Sequence, residues 1–170
     1  DRATSYFGEP DIGLVGMSDV AAVARKIGLK ASIPCICDAD TGYGNVLNAI
    51  RTVQELEFAG VAAIQMEDQV APKRCGHLNG KEVVDAKEFA QKIRGAKKEQ
   101  LYKDTLIVAR TDARAVYDLN EAIERGKRYM DAGADILFIE APQSLDEVEK
   151  IANTFAGKIP LLSNQVIGGK

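Results

Sequence analysis

The chain has no tryptophan, one histidine and three cysteines among 170 residues. With His77 as the sole imidazole, sites that need two or three histidines within one chain are excluded, and any serine-histidine-acid triad would have to use this residue. Cys35, Cys37 and Cys75 cannot all pair and do not form the disulfide framework of a small secreted domain, so reduced thiols are expected. No apolar run approaches the roughly 20 residues needed to span a bilayer, and Arg2-Ala3-Thr4-Ser5-Tyr6 does not resemble a secretion signal. A protein without membrane partners, in the cytoplasm, is the expectation. Charge of one sign is also missing. The 22 Lys and Arg against 25 Asp and Glu leave −3, which gives no footprint for nucleic acid. Linkers and low-complexity stretches are absent too, so 1–170 reads as a single domain.

What is present is apolar and periodic. Hydrophobic residues make up 46% of the chain, enough for a core. Five short apolar runs each end in a polar or charged residue: Ile33 to Asp38, Ala62 to Glu67, Leu106 to Arg110, Ile136 to Glu140, and Pro160 to Asn164. They read as buried parallel strands. Segments of helical spacing alternate with them, such as Val46, Ile50, Val53, Leu56 and then Leu119, Ala122, Ile123, Gly126, Tyr129, Met130. Asp118 with Glu121 and Ser144 with Glu147 fit capping boxes at helix starts. Ala59-Gly60 and Ala132-Gly133 mark helix exits, so "AGVAAIQMED" and "AGADILFIEA" look like one unit used twice.

Units of this size suit a βα-barrel or a doubly wound open sheet. The first strand-to-helix turn, Asp40-Thr41-Gly42-Tyr43-Gly44-Asn45, lacks the glycine spacing of a dinucleotide fingerprint. All five strands end in residues able to do chemistry, which is where barrels place their active sites. The expected fold is therefore α/β, a TIM-type βα-barrel present as about five of its eight βα units.

Asp38 and Asp40, two apart at a strand end, should project to one face. Paired carboxylates without soft ligands favour Mg²⁺ or Mn²⁺, with water and substrate oxygens completing the octahedron. The plainer alternative makes Asp40 only a cap for the next helix. Glu67-Asp68 and Glu140 end two more strands, and carboxylates converging on one mouth repel unless a cation or a basic partner intervenes. Arg110 offers a planar fork for a substrate carboxylate, or else an internal salt bridge to Glu67 or Glu140. In Lys73-Arg74-Cys75-Gly76-His77, basic side chains around a thiol should lower its pKa and favour proton transfer near neutral pH. Gly76 and Gly80 would give that loop freedom to move. Cys35, Cys37, Cys75 and His77 form a rival zinc set. Its Cys-x-Cys spacing is wrong for zinc, and Cys35 and Cys37 should face away from Asp38.

Taken together, "DADTGYGN", "QMEDQ", "PKRCGH", "ARTDA" and "FIEAP" resemble the isocitrate lyase and phosphoenolpyruvate mutase superfamily, in order from Gly8-Glu9-Pro10-Asp11 to the end of the chain. That resemblance implies a βα-barrel assembled as a homotetramer, a dimer of dimers. It implies Mg²⁺ held through Asp38 and Asp40, partly through water, with Glu67 in the same network. Arg110 would grip the carboxylate of a 2-oxo acid, and Gly76, Glu140 and Asn164 would contribute to the substrate pocket, with Cys75, His77 and Arg110 catalytic. The Lys-Arg-Cys-Gly-His loop is similar to that of the carbon–carbon lyases, and the compact spacing resembles 2-methylisocitrate or 2,3-dimethylmalate lyases. A phosphonomutase or an oxaloacetate-acting enzyme of the same superfamily is the alternative.

The implied chemistry is retro-aldol cleavage of a branched 2-hydroxy di- or tricarboxylic acid to pyruvate or glyoxylate and a second carboxylic acid. Cys75 would protonate the leaving carbanion. Two departures from the family pattern stand out. A Ser-Gly-Gly turn expected just before Asp1 is not in the chain. Val166 also stands where lyases acting on tricarboxylates tend to have threonine, which favours a dimethylmalate-like substrate because valine cannot hydrogen-bond a distal carboxylate. A complete barrel typically needs about 250 residues. The chain is therefore expected to be part of a longer enzyme, without its first strands, last strand and C-terminal helix, and unable to fold or turn over alone.

Overall fold

The structure, a computed structural model, describes residue 6 and residues 8–74 and 80–164. Five parallel strands form one sheet in the order β1-β2-β3-β4-β5: β1 (Ile36–Asp38), β2 (Ala63–Glu67), β3 (Leu106–Thr111), β4 (Ile136–Ile139) and β5 (Leu161–Leu162). Helices α1 (Met17–Gly28), α2 (Val46–Phe58), α3 (Ala86–Glu99), the short α4 (Ala113–Val116), α5 (Leu119–Asp131) and α6 (Leu145–Phe155) alternate with them. Each strand pairs with its successor in sequence. A doubly wound sheet reverses its strand order part-way, whereas a barrel winds in one direction. The sequential order therefore decides for a partial βα-barrel.

Strand alternation sorts the side chains onto two faces. Ile64, Met66, Ile107, Ala109, Leu137 and Ile139 join the main core with the helices, among them Val53, Leu56, Phe89, Ile93 and Tyr129. Ala63, Val108 and Phe138 form a smaller cluster on the other face, backed by Ile136 and Leu162. Two residues beyond Val108 and Phe138 come Arg110 and Glu140, and four beyond Ala63 comes Glu67, all on the same face. The sheet pairing sets Asp38 beside Gln65, two residues after Ala63. The chemistry-bearing residues thus share the inner face. Cys37 instead belongs to the helix-side core, as alternation requires, and is a buried free thiol.

Both repeated helix exits have one geometry. Gly60 N–H donates to the Glu57 carbonyl and Val61 N–H to that of Leu56, and Gly133 and Ala134 repeat the pattern with Met130 and Tyr129. This is the Schellman arrangement, with glycine at positive φ (80° and 104°), a region costly for a side chain with Cβ. The capping boxes, in contrast, form in one direction only. Asp118 accepts from Glu121 N–H and Ser144 from Glu147 N–H. The glutamates do not return the bond, because Arg125 takes Glu121 and Arg114 takes Glu147. A charged partner draws each carboxylate away from the N-cap amide, although Glu147 Oε2 still accepts from Gln143 N–H one residue before the cap.

The expected strands are trimmed at their starts, where Ile33 is exposed and outside β1. Asp40 is a larger departure. It lies beyond the strand in the turn to α2, with φ at 47°, and it does not cap that helix. Asn45 does, accepting from Leu47 and Asn48 N–H.

Candidate active site

The site begins at Glu67 and Arg110, which sit opposite each other in the β2–β3 pairing. Arg110 Nε lies 3.3 Å from Glu67 Oε2, and Nη2 lies 3.7 Å from Glu140 Oε1 on the next strand end. Its tightest partner is Asp112, with Nε donating to Oδ2 at 2.9 Å and Nη2 to Oδ1 at 3.0 Å. Lys81 Nζ donates to the same Oδ1 at 2.8 Å. Phe138 lies under the guanidinium, with Cζ 5.2 Å from the ring centroid. One edge and one face of Arg110 are thereby fixed.

Burial sets the electrostatics. Glu67 is 2% exposed, and burial pushes its carboxyl well above the usual range, against Arg110, with Asp112 and Asp38 adding to the rise. For Asp112, burial would act the same way, but the bonds and charge of Arg110, and then Lys81, hold it below its ordinary value. Like charges packed this closely need a compensating cation, and the residue nearest to one excess carboxylate goes up.

Asp38, Asp40 and Asp11 form the second part. Asp40 N–H donates to Asp38 Oδ1 at 3.0 Å. Lys73, which is buried, reaches Asp11 Oδ1 at 2.5 Å and Asp40 Oδ1 at 3.2 Å. Burial would lower its pKa, but Asp40, Asp11 and the more distant Glu67 and Asp38 raise it, so the ammonium is firmly charged. The loop that carries Lys73 leaves β2 and returns as an antiparallel pair, with Gln69 bridged to Val83. Gln69 clamps the outgoing limb. Its amide donates to Glu67 Oε1 and the Arg74 carbonyl and accepts from Arg74 N–H. Cys75, Gly76 and His77 lie outside the described residues.

A third layer supports these two. Asp68 is fully buried and accepts from Thr111 Oγ1, Asp112 N–H, Tyr129 OH and Arg125 Nη1. Burial nevertheless raises its pKa against those hydrogen bonds. It pins the backbone of Thr111 and Asp112, and so the base on which Arg110 stands. The turn after β1 is pinned through its carbonyls, Lys92 Nζ donating to Thr41 and Thr52 Oγ1 to Gly42.

The donor set fits a hard cation. Asp38 and Asp40 supply carboxylate oxygens, and among the described residues no three Asp, Glu, His or Cys converge closely enough to chelate one ion. Mg²⁺ commonly uses one or two carboxylates and keeps several waters. A zinc set is not assembled among the described residues, and Cys37 packs in the helix-side core. Beside Asp11, Asp38 and Asp40 a cavity of about 440 Å³ opens between α1 and β1, lined by Val15, Val20, Ile27 and Val61.

The structure brings Asp38, Asp40, Glu67, Arg110 and Glu140 onto one face. Asn164 follows β5 and is exposed, and among the described residues no hydrogen bond joins it to this cluster. Sequence reasoning missed Asp112, Lys81 and Asp11 as members. Asp112 had a signal, since it stands two residues after Arg110 as Asp40 does after Asp38. Lys81 had none, because its partner comes from another strand.

Comparison with known proteins decides what this arrangement belongs to. The family model described as phosphoenolpyruvate phosphomutase matches residues 2–167. The chain belongs to the phosphoenolpyruvate mutase/isocitrate lyase superfamily. It is 47% identical over 169 residues to 2,3-dimethylmalate lyase of Eubacterium barkeri, covering 99% of this chain and 58% of that protein. It is also 47% identical over 170 residues to 2-methylisocitrate lyase of Halalkalibacterium halodurans, covering 100% and 55%.

Among superfamily structures, the trigonal crystal form of 2,3-dimethylmalate lyase superposes with a TM-score of 0.90 at 38% identity, covering 94% of this chain and 54% of that one. Oxaloacetate acetylhydrolase with 3,3-difluorooxalacetate gives 0.89 at 36%, covering 94% and 55%. Phosphonopyruvate hydrolase with oxalate and Mg²⁺ gives 0.83 at 35%, covering 94% and 56%. The chain spans about half the length of the curated relatives it matches.

Proposed function

We propose that the protein of which this chain is part is a Mg²⁺-dependent carbon–carbon lyase. On this reading it cleaves a branched 2-hydroxy di- or tricarboxylic acid, 2,3-dimethylmalate before methylisocitrate, to a 2-oxo acid (pyruvate or glyoxylate) and a second carboxylic acid. The observation that carries the reading is Arg110, held at a strand end by Asp112 with a second edge of its guanidinium left for an anion, beside the carboxylates Asp38, Asp40 and Glu67. The relatives named as lyases support it, and Val166 supports the shorter substrate.

Arg110 orients the 2-oxo acid half by charge and by paired N–H donors. Asp38 and Asp40 would hold Mg²⁺, and Glu67 would belong to the same network of carboxylates beside it. The metal, when bound, supplies Lewis acidity at the substrate's 2-oxygen. Glu140 closes the side of the pocket next to Arg110. In the cleavage the 2-hydroxyl gives its proton to a general base, its oxygen forms the carbonyl of pyruvate, and the bond between C2 and C3 breaks with its electron pair left on C3. Cys75, the acid of the Lys73 to His77 loop, gives its proton to C3 and yields the second carboxylic acid. His77 belongs with Cys75 in this step. A homotetramer built as a dimer of dimers, a cytoplasmic location and small carboxylates as the only non-protein partners complete the reading. The free thiols Cys35 and Cys37 suit a reducing compartment.

The test is product analysis with the full-length enzyme and a panel of 2-hydroxy acids, with Mg²⁺ and with chelator. Pyruvate formed from 2,3-dimethylmalate only with the metal is the expected result. Conversion of a phosphoenolpyruvate-type substrate followed by ³¹P resonance, or oxaloacetate consumption, with no cleavage of the panel, would replace the lyase by the mutase or the oxaloacetate-acting enzyme.

A further inference from the structure

Arg110 has the work of binding an anion, yet its two nearest atoms are already spent on Asp112. The Asp112 carboxylate is fully buried and takes the Nε and Nη2 edge at 2.9 and 3.0 Å. A buried one-to-one pair has no net charge, and a neutral pair attracts an anion far less than a cation does. Lys81 changes that balance. Its ammonium, with a side chain 3% exposed, donates to Asp112 Oδ1 at 2.8 Å, the same oxygen that accepts from Arg110 Nη2. Two cations then share one carboxylate, so the Arg110–Asp112–Lys81 unit is positive and offsets the neighbouring carboxylates Glu67 and Glu140. Geometry agrees with the charge count. Phe138 holds the plane of the guanidinium, Asp112 holds one edge, and among the described residues Nη1 makes no hydrogen bond.

We propose that Lys81 is a positioning residue that restores positive charge to Arg110 through Asp112, so that the Nη1 and Nη2 edge receives the substrate's carboxylate. Lys81 touches no substrate and acts through the shared carboxylate. It reaches Asp112 from the limb that returns from the Lys73 to His77 loop to α3, where Val70 N–H donates to the Glu82 carbonyl and Val84 N–H to that of Asp68. The inference rests on the reading of Arg110 as the anion site. It assigns Asp112 a second role besides structural support, namely to divide its charge between the two cations.

The test is calorimetric titration of the full-length enzyme with oxalate in the presence of Mg²⁺, alongside steady-state kinetics and a thermal melt. Lys81→Gln keeps a hydrogen-bond donor and removes the charge. It should weaken oxalate about 10- to 100-fold, the usual scale for a supporting partner of a site, and raise KM by more than it lowers kcat. Lys81→Arg should restore most of the affinity. If Lys81→Gln does not fold, Lys81→Met, with a stem of similar length, gives the same reading of the charge. A Lys81→Gln enzyme that melts earlier but binds oxalate as tightly as the parent overturns the inference and leaves the anion site intact. A parent enzyme that binds no oxalate overturns the anion-site reading itself, and the inference with it.

Discussion

Asp112 holds Arg110 by a two-point fork although the residues are only two apart, with Nε 2.9 Å from Oδ2 and Nη2 3.0 Å from Oδ1. Asp112→Ala would leave Arg110 and Lys81 buried without their shared carboxylate. Breaking a buried pair from one side typically costs about 3–5 kcal/mol. Denaturant unfolding of the full-length enzyme should show a loss of that order for Asp112→Ala and a smaller one for Asp112→Asn, which still accepts a hydrogen bond. Equal losses in the two variants would mean that charge plays no part.

Arg110→Lys tests the shape of the same group. Lysine keeps the charge but offers a point rather than a planar fork, and it cannot satisfy Asp112 and a substrate carboxylate at once. The kcat/KM for cleavage should fall about 100-fold, equivalent to about 2.7 kcal/mol. Steady-state kinetics showing less than a threefold change would remove the fork from the account.

Gly126 lies where α5 meets α6. A Cβ there would stand 2.9 Å from Phe155 Cζ, and Phe155 is 1% exposed. Alanine gains about 1 kcal/mol of helix propensity over glycine, but overpacking a closed contact costs about 1–3 kcal/mol. The ring has no open side to turn into, so Gly126→Ala should be net destabilising in a thermal melt, with kcat unchanged. A raised melting temperature would show that α6 can retreat.

Arg114 and Glu147 make a two-point pair, Nε to Oε2 at 2.9 Å and Nη2 to Oε1 at 2.7 Å, and Glu147 Oε2 also accepts from Gln143 N–H. Arg114 holds the Glu147 carboxyl below its ordinary value. A carboxylate depressed in the folded state contributes stability above its unfolded pKa of about 4.3, and that contribution is lost as the pH falls through the depressed value. The pair is partly buried at the surface, so its worth is on the order of 1 kcal/mol, the upper end for surface pairs. Glu147→Gln should lower the melting temperature slightly at pH 7, and the gap to the parent should close on acidification below pH 4. A gap that persists there would assign the effect to packing.

Period and punctuation made the strands and the repeated Schellman exits legible in the sequence, because each depends on residues near one another in the chain, whereas the barrel was read from the chemistry at the strand ends and its winding rests on the strand order. The inner-face placement of Asp38, Glu67, Arg110 and Glu140 followed from alternation alone. Asp40 did not follow, because its positive φ belongs to a turn that alternation does not describe. Lys81 and Gln69 were illegible for a different reason. Their partners, Asp112 and the pair of Glu67 and Arg74, are fixed by how the loop after β2 folds back against β3. Glu121 and Glu147 were misread because arginines took their carboxylates, Arg125 from the next turn of the same helix and Arg114 from 33 residues away in the chain.

The central claim is that the strand-end carboxylates hold a divalent cation next to an anion-binding arginine. Electron paramagnetic resonance of Mn²⁺ bound to the full-length enzyme tests it directly. The account predicts a bound Mn²⁺ signal in the parent that changes when oxalate is added. It predicts loss of the bound signal in the Asp38→Ala, Asp40→Ala double variant, and a bound signal that no longer responds to oxalate in Arg110→Gln. Mn²⁺ bound equally well by the double variant, or an unchanged oxalate response in Arg110→Gln, would contradict it.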